Sequence, residues 1–208
     1  MDQQRHKRLR LLISKLNKQR KRQAKKIDIL CNDFIAAQRN FIERLNAITF
    51  AANFHQSVIG LTDLSKLLHT AGKLIKEEVA HANVTFFLRQ AENFELHMFE
   101  SEKPIGLEKY RLENCFTAEL VEQICKANKL CNLDDMFAMG LQGNLVGLSK
   151  VSAVTVPLGE LGQSLGFILI YRSADNKLTT DELNRVSAIR TGLAKAIQAC
   201  QVLSHATD

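Results

Sequence analysis

Read for the spacing of its apolar side chains, the chain changes character near Gly60, from a purely helical pattern to a mixed one. From about Gln3 to Ile59 there is neither Pro nor Gly. With Ile13, Arg20, Ile27, Phe34, Phe41, Ile48 and His55 at heptad position a, Leu9, Leu16, Gln23, Leu30 and Ala37 fall at d. A repeat of about 3.5 residues sustained this long predicts one long helix, or two meeting at the polar patch Arg20–Gln23, whose seam needs a partner. From Phe41 onward apolar residues lie nearly all round (Phe41, Ile42, Leu45, Ile48, Phe50, Phe54), so burial on more than one side is expected there.

Gly60 ends this helix. Thr62 is placed to cap the next, whose stripe is Leu64, Leu67, Leu68, Ala71, Ile75 and Val79. Val84–Leu88 and Phe94–Phe99 read as strands around a turn at Gln90–Asn93, and Ser101–Pro104 ends the second. Thr117 is placed to cap a helix reaching Leu130, with Leu120, Val121, Ile124 and Cys125 inward. Asp134–Phe137 reads as a helical turn, and Gly140, Gly143 and Gly147 make Met139–Lys150 a connector. Val151–Leu158 and Leu165–Tyr171, joined through Gly159–Gly162, read as an antiparallel hairpin. Both runs are apolar on both faces, which places them at the centre of a sheet covered above and below. The last helix is marked twice at its start: Thr179 and Glu182 have capping-box spacing, Leu178 and Leu183 staple spacing. Leu183, Val186, Ile189, Leu193, Ile197 and Cys200 then form one apolar stripe.

Helix, two strands, helix, irregular segment, two strands, helix predicts an α+β domain, an antiparallel sheet with helices on both faces. The order resembles that of GAF domains, the small-molecule sensor folds of many signalling proteins, over about Leu61 to Leu203. The residues that carry the resemblance are Val156-Pro157-Leu158, Gly166-Phe167-Ile168-Leu169 and Leu178-Thr179-Thr180-Asp181-Glu182-Leu183. The helical run makes residues 1–59 a basic helical, coiled-coil extension, and the resemblance implies a GAF-like domain over 60–208. The first and last helices of that domain would share one face of the sheet, with Leu107–Lys150 covering the other. A ligand pocket would lie under that cover. Alternate residues of a strand share a face, so the candidate ligand-binding residues are Phe86 and Leu88, or Leu96 and Met98 beside Phe94, together with Cys115, Met136 and Phe137.

Composition adds limits. A length of 208 residues suits one domain with an extension, and the composition is that of an ordinary globular chain. No apolar run approaches the ~18 residues of a membrane span. No apolar stretch follows the charged N-terminus, so no secretory signal is read. The five cysteines (31, 115, 125, 131 and 200) are odd in number and scattered, which points to free thiols in a reducing cytoplasm. Charge is uneven: residues 1–26 hold eleven Lys/Arg and one Asp, the rest 17 basic and 21 acidic residues. The basic character belongs to the extension.

Phosphate-loop, nucleophile-elbow, zincin and dinucleotide motifs are absent. Cys115, Cys125 and Cys131 lie where a GAF pocket would be covered. The free methionine sulfoxide reductases, one branch of this fold, work with pocket cysteines, including one in the loop that here spans Gly140–Lys150 and has none. Structural thiols are therefore the reading taken. Asn176-Lys177 and Asp181-Glu182 resemble a compressed form of the signature of cyclic-nucleotide-binding GAF domains without its Phe, and the acidic pair already serves a helix start. His81 and His97 have no partner at metal-ligand spacing, and the sequence names no cofactor. Arg5–Lys26 could contact nucleic acid or an anionic surface. Lacking interleaved aromatics or a known motif, it reads first as the solvated face of a coiled coil. The expected function is a non-catalytic regulatory module: a sensor of an unidentified small ligand, a homodimer through the N-terminal helix, its output passed to a protein partner. A ligand-free dimerisation scaffold is the alternative, and a thiol-based free methionine sulfoxide reductase a third.

Overall fold

The structure, a computed structural model, describes residues 2–90, 93–101, 111–160 and 163–205. The expected turn at Gln90–Asn93, the strand end at Ser101–Pro104, the connector Gly159–Gly162 and the start of the covering segment at Leu107 lie wholly or partly outside those residues.

Helix α1 runs unbroken from Asp2 to Val58, so the polar patch at Arg20–Gln23 does not divide it. The chain forms two compact units, Met1–Leu45 and Asn46–Asp208, and the division falls within α1. In the first unit every described side chain is exposed, Leu9, Ile13, Leu16, Ile27, Leu30, Phe34 and Phe41 included. Burial on several sides beyond Phe41 is not what a single chain shows. Phe41, Ile42, Leu45 and Ile48 are exposed, while Phe54 and Val58 are buried and Phe50 and Ala51 pack against the same core. One side of that stretch has a core to lie on, and the other has none.

The second unit is built on a five-stranded antiparallel sheet in the order β2-β1-β5-β4-β3. After Gly60 turns the chain at φ +81°, α2 (Leu64–Glu78) begins. Its cap is Asp63 rather than the expected Thr62: the carboxylate accepts hydrogen bonds from the backbone N–H of Ser65 and Lys66. A charged acceptor one residue on serves the positive helix end better than a hydroxyl does. Strands β1 (Asn83–Gln90) and β2 (Asn93–Phe99) follow. A 3-10 turn, Leu112–Cys115, leads to α3 (Ala118–Ala127), capped by Thr117 and closed by Asn128 in the left-handed region, short of the expected Leu130. Then come β3 (Cys131–Asn132), α4 (Leu133–Ala138) and α5 (Leu145–Leu148), the last inside the expected connector. Strands β4 (Val151–Glu160) and β5 (Gln163–Ser173) lead into α6 (Thr180–His205).

Alternation along the central strands sends side chains into two cores. Val84, Phe86 and Leu88 of β1, Val156 and Leu158 of β4, and Ile168 and Ile170 of β5 face α2, α6 and the end of α1. Phe87, Phe167, Leu169 and Tyr171 point the other way, under α3 and α4. Gly166 sits where β5 passes β1: at φ +135°, a Cβ there would lie 1.8 Å from the Phe87 carbonyl oxygen. Only glycine lets these backbones approach.

The start of α6 is held as its spacing predicts. The Glu182 carboxylate accepts from the Thr179 N–H at 2.8 Å, and the Thr179 hydroxyl accepts from the Glu182 N–H at 3.3 Å. Glu182 also receives the buried Arg172 guanidinium through both oxygens, at 2.8 and 2.7 Å. No helix among the described residues is long and apolar enough to cross a membrane.

Candidate functional site

The side of the sheet under α3 is where a buried site can form, because the cover there is short elements rather than a long helix. Phe87 and Phe167, directly paired across β1 and β5, stack with centroids 4.6 Å apart and planes 16° from parallel. Phe116 closes on Phe87 at 5.2 Å. Leu120, Val121 and Ile124 of α3, Met136 of α4, and Leu112, Leu141 and Leu148 complete the packing.

Within this apolar shell, among the described residues, lies one buried carboxylate. Glu113, in the 3-10 turn, is 7% exposed. Its Oε1 accepts from the Thr85 hydroxyl at 2.5 Å and its Oε2 from the Tyr171 hydroxyl at 2.9 Å. Among the described residues no Lys or Arg pairs with it. Burial, and then the Glu113 charge, pushes the Tyr171 phenol up. The same two causes, in the same order, raise the Cys115 thiol. Burial likewise raises Cys125 and Cys131. All five cysteines are free. Raised thiols hold little thiolate at neutral pH, the form that attacks or binds metal.

The structure does not bring the seven candidate residues together. Cys115, Met136 and Phe137 lie on this side. Leu96 and Met98 pair with Phe87 and Thr85 and so share their face, but they are 40% and 43% exposed near the sheet edge. Phe86 and Leu88 lie on the opposite face, in the core with α2 and α6. Sequence reading missed Glu113, Thr85 and Tyr171, whose contacts span 28 and 58 residues and leave no local spacing to detect. Two grooves among the described residues, of about 1200 and 540 Å3, lie elsewhere; Cys115, Met136 and Phe137 line neither.

The remaining candidates have internal roles. The Asn176 and Lys177 carbonyls accept from Arg172, and Glu182 is taken up by Arg172 and the helix cap, so this resemblance to a nucleotide signature is a structural knot. His97 lies 3.1 Å from the Glu95 carboxylate, and His81 has a left-handed backbone at φ 61°. Among the described residues no three His, Cys, Asp or Glu side chains gather as a metal site.

No family model matches the sequence, and no curated protein matches it significantly. Solved structures do. The GAF domain of a phosphoenolpyruvate-protein phosphotransferase from Coxiella burnetii superposes with a TM-score of 0.56 at 16% identity, covering 77% of this chain and 98% of that one. The fold is that of a GAF domain. A GAF domain/HD domain protein from Geobacter sulfurreducens gives a TM-score of 0.52 at 16% identity, over 70% of this chain and 98% of its own. A segment of a methyl-accepting chemotaxis protein gives 0.52 at 12% identity, over 72% and 98%. In this GAF fold the Glu113 cluster lies between the sheet and its short-element cover.

Proposed function

We propose that the chain is a non-catalytic regulatory module, a GAF-fold sensor of a small ligand whose α1 pairs with a second copy and whose output passes to a protein partner in the cytoplasm. The observation that carries the pairing is the exposed seam of α1. Leu9, Ile13, Leu16, Ile27, Leu30, Phe34, Phe41 and Ile48 share one heptad face and are all exposed. At ~25 cal/mol per Å2, leaving them in water forgoes several kcal/mol that a parallel copy recovers. The similarity to parts of a chemotaxis protein and an HD-domain protein supports a signalling role.

A coupling route exists within the second unit. Along β5, Phe167, Leu169 and Tyr171 face the Glu113 cluster, while Ile168 and Ile170 face α6 and the end of α1. A ligand that displaces the first set biases the packing of the second. Catalysis by a thiol is disfavoured, since burial raises Cys115, Cys125 and Cys131. The stacked Phe87, Phe167 and Phe116 favour the second reading, a ligand-free scaffold whose pocket has filled with its own side chains. A thermal-shift screen with cyclic nucleotides and small metabolites separates the two. A ligand that raises Tm in the wild type and not in Tyr171→Phe supports the sensor; no shift across the panel supports the scaffold.

A further inference from the structure

The first turns of α1 carry a second feature that dimerisation does not use. Eleven Lys and Arg side chains lie between Arg5 and Lys26 on one unbroken helix. All are exposed, and among the described residues none has an ion-pair partner. The apolar seam is interrupted within this stretch. Arg20 occupies position a and Gln23 position d, so in a parallel pair two guanidiniums meet across the interface. From Ile27 onward the seam resumes with Leu30, Phe34 and Phe41. The pair is therefore held by Leu9, Ile13 and Leu16 and again from Ile27 onward, and loosened at Arg20 and Gln23 between them. A paired basic helix of this kind carries its cations on the outer faces of the pair, where a duplex can meet them.

The chemistry selects the partner. Asn17–Lys26 holds six Lys/Arg and no apolar side chain larger than Ala24, and before it the seam takes Leu9, Ile13 and Leu16, so only Leu11 and Leu12 are left to enter a lipid surface. No Phe, Tyr or Trp precedes Phe34, so unpaired bases find no large aromatic platform there. What remains is the regularly charged backbone of a double helix. The basic stretch is ~33 Å long at about 1.5 Å per residue. A duplex of that length carries roughly 20 phosphates at one charge per ~1.7 Å, close to the cations that two copies supply.

We infer that Arg5–Lys26 of two paired α1 helices forms a grip for double-stranded nucleic acid, read through phosphates and without base specificity. The inference rests on the dimer reading, and salt separates the two. Neutralised phosphates release counterions, so duplex binding weakens steeply with salt. Pairing of the two cationic helices tightens with salt, because their mutual repulsion is screened.

The test is fluorescence anisotropy of the full chain on a mixed-sequence duplex of about three helical turns, with light scattering alongside at each salt concentration. Two chains per site are expected, with dissociation constants of about micromolar or below at low salt. Affinity should fall roughly 1000-fold or more between ~50 and ~200 mM salt. Lys18→Gln/Arg20→Gln/Lys21→Gln/Arg22→Gln should lose at least tenfold, keep its Tm and dimerise more tightly. A dimer that ignores the duplex at low salt overturns the inference and leaves the dimer standing. A monomer that binds the duplex one to one overturns the paired grip. Binding to phosphatidylserine vesicles in place of the duplex overturns it in favour of a membrane surface.

Discussion

The imidazole of His55 lies against the bare Cα of Gly192, so close that a Cβ on residue 192 would fall 2.0 Å from the ring. His55 belongs to the end of α1 and Gly192 to the middle of α6, and their contact fixes how near the two helices come. Exposed in a helix, Gly192→Ala would gain about 1 kcal/mol of helix propensity. Here the added methyl should destabilise by about 1–3 kcal/mol before that gain is subtracted. Denaturation of Gly192→Ala and of the His55→Ala/Gly192→Ala double variant checks this. Recovery in the double variant is expected, and a Gly192→Ala protein more stable than wild type would show that the contact does not constrain the helices.

Arg172 is 3% exposed and gives both amino groups to Glu182. Burial alone would raise the Glu182 carboxyl; hydrogen bonds from Thr179 and the Arg172 charge outweigh it and hold it low. A carboxylate lowered in the folded state contributes stability above its unfolded value, about 4.3. That contribution is lost as pH falls through the folded value. Glu182→Ala should cost about 3–5 kcal/mol, by leaving a buried guanidinium without its counter-charge, and should flatten the acid limb of a Tm-against-pH curve. An unchanged acid limb would contradict this role.

On the same helix, Thr179→Ala should cost about 1 kcal/mol as a lost cap. Leu193→Ala, at a fully buried position, should cost about 2–5 kcal/mol. Urea unfolding measures both. A near-neutral Leu193→Ala would mean the stripe of α6 is misphased.

Much of this architecture was legible because its signals are local. Thr179 and Glu182 sit one helical turn apart, and Gly60 stands between two periodic runs. The facing of β1 was not legible: Phe86, Phe87 and Leu88 are all apolar, and a strand buried on both sides gives period-two reasoning no phase. Glu113 was invisible for another reason. A single acidic residue in a polar stretch resembles a surface residue until the fold brings Thr85 and Tyr171 to it from distant strands. The Thr62 to Asp63 shift in the α2 cap shows the limit even for local signals when two capping residues adjoin.

Tyr171→Phe removes from the buried Glu113 carboxylate one of the two donors found among the described residues and should cost about 1–3 kcal/mol. The raised phenol adds a pH signature. A tyrosine raised in the folded state contributes stability below its unfolded value of about 10 and loses it as pH rises beyond that. The wild type should therefore lose more stability than Tyr171→Phe above about pH 10. Parallel alkaline limbs would remove the Tyr171–Glu113 bond from the account.

Thiol access distinguishes the cysteines. Cys31 is exposed, Cys125, Cys131 and Cys200 are buried, and Cys115 is intermediate. Ellman's reagent at neutral pH should label Cys31 first and the other four slowly, at a rate set by opening of the domain. Fast labelling of Cys115 or Cys125 would revive a thiol-based activity.

The central claim is that α1 exists to be paired. Light scattering on the full chain at micromolar concentration, at two salt concentrations, tests it directly, with Phe34→Glu as the variant that places a carboxylate in the seam. The account predicts a wild-type dimer that tightens with salt and a Phe34→Glu protein that is monomeric with an unchanged domain Tm. A monomeric wild type at both salt concentrations would contradict it.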